Sequence, residues 1–159
     1  MGDRRTPFTN DGERETLVAF LDYLREAVLL KVAGLDDDSL RRVLVPSGTS
    51  LLGLVKHLTM VEIAWFPFSF AGADVWVPSS ELEPADTTAS VIDGYRSAIA
   101  GSTEVVAAAT DLDQLCVRAA FAPDRMSLRW VLVHMVEETG RHAGHADILR
   151  EQLDGQIGR

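Results

Sequence analysis

Residues 127–153 read SLRWVLVHMVEETGRHAGHADILREQL, and this stretch decides the fold. Ser127 is placed to cap a helix, because its hydroxyl can accept a bond from an otherwise orphaned first-turn amide. Asp154-Gly155 supplies the stop, with Gly155 free to take the left-handed cap conformation. Between them Val131, Met135, Ala146, Leu149 and Leu153 recur at helical spacing and predict one long helix. The middle of that stripe is unlike a plain core. Glu138 and His142 sit on it, and His134 and His145 flank them. An ionisable cluster on a buried face is costly unless it is paired, hydrogen-bonded or bound to a metal. Three of the chain's four histidines lie in this stretch.

The rest of the chain fits around such a helix. A length of 159 residues corresponds to one domain with a sizeable core. Residues 1–10 read as a mobile lead-in, and 11–155 as a single domain. The net charge of −9 argues against a nucleic-acid partner and against docking on an anionic membrane. No uninterrupted run of 18 or more apolar residues is evident, so no membrane span is expected. The polar segment Met1–Gly12 has no apolar signal core. One cysteine, Cys116, leaves no intramolecular disulfide and no Cys-rich zinc site, which fits a reducing cytoplasm, the expected location.

Three further long helices are predicted. The first runs over about 11–33, capped by Thr9, Asn10 or Asp11, with Leu17, Phe20, Leu21, Leu24 and Val28 inward and Gly34 as its stop. Asp36 to Ser39 reads as the cap of a short turn through Arg42. The second follows the breaker cluster Pro46–Ser50 and covers about 50–66. Leu51, Leu54, Leu58, Val61 and Trp65 form its inner face, and His57 shares it. Pro67 should end or kink this helix. Phe66, Phe68 and Phe70 make its end aromatic, which reads as hydrophobic packing with a subunit contact (a homodimer) as the extension. Residues 71–86 form a long connection of the kind that is often functional. Asp86 or Thr87 then caps a helix over about 88–109, with Val91, Tyr95, Ile99, Val105, Val106 and Ala109 inward. Residues 110–126 are a second connection, with a short amphipathic segment expected around Leu115. Four long amphipathic segments and little strand signal imply an all-α four-helix bundle.

On a helix, positions four apart stand one above the other, so Glu138 and His142 project together. His57 could meet them across the bundle centre. Two imidazoles and a carboxylate suit a divalent cation and leave coordination positions open. Helical geometry also allows His142 with His145. It disfavours Glu138, His142 and His145 all on one ion, because Glu138 and His145 are about 10 Å apart along the axis. His134, one turn before Glu138, could orient that carboxylate or simply face solvent. Arg141, Arg150 and Lys56 could bind an anionic substrate, although charged helix faces are usually just solvated. Asp147 and Arg150 read as a weak surface pair. Cys116 has no base near it in sequence and reads as a small hydrophobe.

Gly53-Leu54-Val55-Lys56-His57-Leu58 with Glu62 and Trp65 resembles the second-helix signature of the DinB superfamily. Residues 130–147, with His134-Met135-Val136-Glu137-Glu138-Thr139 and Arg141-His142-Ala143-Gly144-His145-Ala146-Asp147, resemble its fourth-helix signature. The resemblance covers nearly the whole chain. It implies a DinB-like bundle with a long crossover between helices two and three. It also implies a divalent metal held by one residue of helix two and two of helix four, here His57, Glu138 and His142. Many relatives carry His at both helix-four positions. Glu138 at the first resembles the mycothiol-dependent maleylpyruvate isomerases. Zinc leads the expected metals, with nickel, iron and manganese as the others. The implied activity is transfer or isomerisation with a low-molecular-weight thiol such as mycothiol acting on a small electrophile. His145 then stands one turn outward, as a substrate contact or proton carrier. Two rivals are a metal-dependent hydrolase and a non-catalytic metal-binding or stress protein.

Overall fold

The computed structural model describes residues 6–157. The first five residues of the expected lead-in lie outside them. The described chain forms α1 (Glu13–Val32), a short α2 (Asp37–Arg41), α3 (Leu51–Ile63), α4 (Thr88–Ala108) and α5 (Leu128–Asp154). A π-helical segment, Ala64–Phe70, prolongs α3 without a break. No strand occurs among the described residues; Leu115 makes only an isolated antiparallel bridge to Ser127, in place of the amphipathic segment expected there.

The ends of these helices follow local chemistry. The side chains of Asp36, Ser50, Thr87 and Ser127 each accept a bond from the amide three residues on. Thr87 and Ser90 form a reciprocal capping box. Gly155 closes α5 at φ 77°, as its position predicts. The start of α1 differs from expectation. Its cap is Gly12, with no side-chain bond, because Thr9 and Asp11 bond each other instead.

Pro67 neither ends nor breaks the second long helix. Proline lacks the amide that an α-helical ladder needs and crowds the preceding turn. The ladder widens here to five-residue spacing, seen in the bond from Ala71 N to Phe66 O at 2.9 Å. The exposed carbonyls at its end are met from the 109–127 connection: Val117 N donates to Phe70 O and Arg118 N to Ser69 O. Arg118 Nη1 also donates to Phe68 O and Ala73 O. Gly72, at φ 69°, turns the chain away, and a Cβ there would stand 2.6 Å from Val117 Cγ1.

Helix α1 packs mainly on α5, and α3 on α4. The core between them has two apolar halves. One holds Leu21, Phe66, Phe70, Val106, Cys116, Leu132 and Met135. The other holds Val28, Leu40, Leu51, Leu58, Tyr95, Ala143 and Leu149. Arg25, Glu62, Ser102 and Thr139 are buried between the two sets along their respective helices. Arg25 donates to both Glu62 oxygens at 2.7 Å and to Asp22 at 2.8 Å. The inward face of α1 therefore centres on Leu21, Arg25 and Val28, while Leu17, Phe20 and Leu24 are only partly buried. The continuous helix Leu51–Phe70 has the length and mean hydropathy (1.3) of a membrane span, and 61% of it is buried by the rest of the fold. Lys56, His57 and Glu62 interrupt its apolar run, and it serves as the core helix of the bundle.

Candidate metal centre

The true inward stripe of α5 runs Val131, Met135, Thr139, Ala143, Ala146 and Leu149. Glu138 and His142 are each one position before a member of that stripe. A single residue rotates a helix position by about 100°. They therefore flank the core, partly exposed, on the side where α5 faces His57 of α3, and not in the bundle centre. His57 flanks Leu58 on α3 in the same way. The side chains of His57, Glu138 and His142 are 30%, 12% and 16% exposed, which is half-shielded and reachable.

These three side chains meet. His57 Nε2 lies 2.9 Å and His142 Nε2 3.1 Å from Glu138 Oε1. The two imidazole rings are edge to face at 4.7 Å. Arg141 reaches the other oxygen, Nη1 to Oε2 at 3.5 Å, and pairs with Glu137. Arg141 thus braces the Glu138 carboxylate from the solvent side and turns Oε1 to the imidazoles. Burial pushes the Glu138 carboxyl up, but the His57 hydrogen bond and the influence of His142 outweigh it, so its pKa lies below the ordinary range. Burial holds His142 below the usual imidazole value, against the pull of Glu138. The carboxylate is charged and His142 is neutral near neutral pH, the states in which both donate electron pairs to a cation.

The donor set passes a test on its own chemistry. One oxygen and two ring nitrogens lie within 4.8 Å of one another. Divalent zinc, nickel and iron accept this mixture of donors, at about 2.0–2.2 Å for zinc. His142 Nδ1 is buried with no hydrogen-bond partner, so among the described residues the ring is held only through Nε2 at Glu138. His57, Glu138 and His142 could hold such a cation.

The remaining sequence candidates fall elsewhere. His145 is exposed, 5.4 Å from the His142 ring between centroids, and lines a groove of about 210 Å³ with Ser47, Thr49 and Ile148. His134 does not bond Glu138. It stacks on Trp130 at 5.1 Å and 20° and meets Trp65 edge-on at 4.9 Å. The cause is local: position 134 is one turn from Trp130 and faces the aromatic end of the core helix. Cys116 is buried, and burial raises its thiol pKa. Three cations expected at the surface hold structure instead. Lys56 pairs with both oxygens of Asp86 at 2.9 Å. Arg150 donates to Lys31 O and Ala33 O at the end of α1 and pairs with Asp154, while Asp147 pairs with Lys31. Arg141 braces Glu138. The buried partnership of Arg25 with Glu62 escaped the sequence reading, although an Arg between Leu21 and Val28 at core spacing is a legible signal.

The family model described as mycothiol-S-transferase matches residues 16–155. The chain belongs to the mycothiol S-transferase family. The match spans α1 to the cap of α5 and so includes His57, Glu138 and His142. The fold of this family member is similar to the crystal structure of a DinB-like protein from Bacillus cereus ATCC 10987, with a TM-score of 0.65 at 19% identity. That likeness covers 87% of this chain and 91% of the other, and it establishes the DinB-like fold. No curated protein matches.

Proposed function

We propose that this mycothiol S-transferase family member transfers a low-molecular-weight thiol, mycothiol or a close analogue, to a small electrophile at a divalent metal, with zinc the leading candidate. The observation that carries the reading is the convergence of His57, Glu138 and His142 at partly exposed positions. A divalent cation held there would supply Lewis acidity, which lowers the pKa of a thiol to the point of deprotonation. The residues of the chain do the rest. Glu138, charged and braced by Arg141, adds the negative charge that favours a cation. His57 and His142 are imidazole donors on two different helices, so the site forms only when the bundle does. His145 stands beside His142 and lines a groove with Ser47 and Thr49, where it can carry the thiol proton to solvent. The sulfur electron pair forms the new S–C bond, and the electrophile releases its leaving group or, if conjugated, takes up a proton.

Cys116 supports an external thiol. It is 1% exposed, and its pKa is raised. A buried neutral thiol is a poor nucleophile.

The test couples metal analysis to a thiol-consumption assay. Purified protein should carry a divalent ion and consume mycothiol in the presence of electrophiles. His57→Ala should lose both while keeping its helical circular dichroism, and Cys116→Ser should lose neither. Turnover of an ester or amide without any thiol would replace this reading with metal-dependent hydrolysis.

A further inference from the structure

Beside the candidate metal centre, one turn earlier on α5 and about two turns further along the core helix, lies a cluster of aromatic rings that the reaction described above does not use. Trp65 forms its wall and is 9% exposed. Trp130, 40% exposed, and Phe121, 52% exposed, form its rim. Their rings contact Trp65 at 5.2 Å and 5.9 Å between centroids, and Phe68 extends the patch at 6.0 Å from Phe121. His134 lies nearly parallel to Trp130, at 20°, and joins the patch to the metal centre. It lies four positions before Glu138, about 6 Å along the helix axis.

Single exposed apolar side chains are ordinary, but contiguous ones beside a reactive centre mark a ligand surface. Two features define the ligand. The nearly parallel indole and imidazole rings present flat faces, which favour a flat partner. Indole faces are electron-rich, so they stack best on rings or conjugated systems depleted of electrons. A carbon that a thiolate attacks belongs to just such an electron-poor group. On the other flank of the centre, Ser47, Thr49 and His145 line a groove together with Val45, Ile148 and Leu149.

We infer that Trp65, Trp130, His134 and Phe121 form the acceptor subsite, and that it selects planar, electron-poor electrophiles such as activated arenes or conjugated carbonyl compounds. This inference rests on the thiol-transfer reading for the role of the bound compound, but not for its binding.

The test uses two unreactive probes of equal polarity, nitrobenzene and nitrocyclohexane, titrated into the full-length protein. The three tryptophan indole N–H signals report binding by NMR, with Trp76, 85% exposed and outside the cluster, as the internal control. Nitrobenzene should shift the Trp65 and Trp130 signals and bind about tenfold more tightly than nitrocyclohexane, the scale of one good aromatic stack. Trp130→Ala should remove that preference and Trp130→Phe should restore most of it. If Trp130→Ala does not fold, Phe121→Ala on the exposed rim should weaken nitrobenzene binding in its place. Glu138→Ala should leave nitrobenzene binding intact. Equal affinity for the two probes, or unchanged affinity in a folded Trp130→Ala protein, overturns the subsite. So does a shift from dimer to monomer on Trp130→Ala, which would assign the patch to a second copy of the chain. Failure of the thiol-transfer reading looks different: nitrobenzene still binds, but no electrophile is thiolated.

Discussion

Glu138 is the residue on which the candidate centre turns, because both imidazoles and Arg141 reach its carboxylate. Removing it leaves two imidazole nitrogens and no negative charge to hold a cation. Glu138→Ala should therefore release the metal, measured as metal per chain by plasma mass spectrometry, with the fold preserved. His145→Ala should keep the metal and lower turnover, since its ring stands outside the trio. The reverse pattern would assign the cation to His142 and His145. Helix spacing in the sequence leaves both pairs open. The fold favours the first, because His57 approaches Glu138 and His142 from the facing helix.

At the scale of the elements, the crossover from the π segment to α4 carries no regular structure, yet it is fastened to α3. Asp86 accepts from Lys56 with both oxygens and from the Glu83 amide, and Arg41 donates to its carbonyl. The Glu83 amide first, and then Lys56, hold its carboxyl below the ordinary aspartate range. A depressed carboxyl contributes stability that is fully present above the unfolded pKa of about 3.9 and is lost as pH falls through the folded value. Asp86→Asn should lower the urea midpoint at pH 7. Its deficit against the wild type should shrink progressively below about pH 4. A deficit that stays constant down to pH 2 would show that the ion pair is not the cause. The connection is legible in sequence from its Pro, Gly and Ser content. Its anchor is not, since Lys56 and Asp86 are 30 positions apart.

Across the whole molecule, the two apolar halves of the core meet at the Arg25–Glu62 pair. Such a pair is a weak source of net stability, but losing one partner strands a buried charge. Glu62→Ala or Arg25→Ala should cost about 3–5 kcal/mol, while Arg25→Met with Glu62→Leu should come close to wild type, both by chemical denaturation. If the double variant is as unstable as the single ones, the pair contributes through packing or register instead of charge balance.

How much of this was legible beforehand depends on the range of the interaction. Caps at Asp36, Ser50, Thr87 and Ser127, the stop at Gly155 and the helical stripes act within a few residues, so they can be read along the chain. The family signatures on the core helix and α5 likewise place His57, Glu138 and His142 on the two helices that meet. The rest needed the fold. Pro67 reads as an end or a kink, but carbonyl partners 50 positions away in sequence let the helix widen and continue. His134 reads as a neighbour of Glu138, yet Trp65 from the facing helix claims its ring. The trio reads as central, but the packing of α1 on α5 and α3 on α4 gives the centre to Arg25 and Glu62 and leaves the trio partly exposed at its edge. Periodicity fixes which residues share a face only to within about one position, or 100° of rotation. On this helix, that rotation separates a buried side chain from one that a substrate can reach.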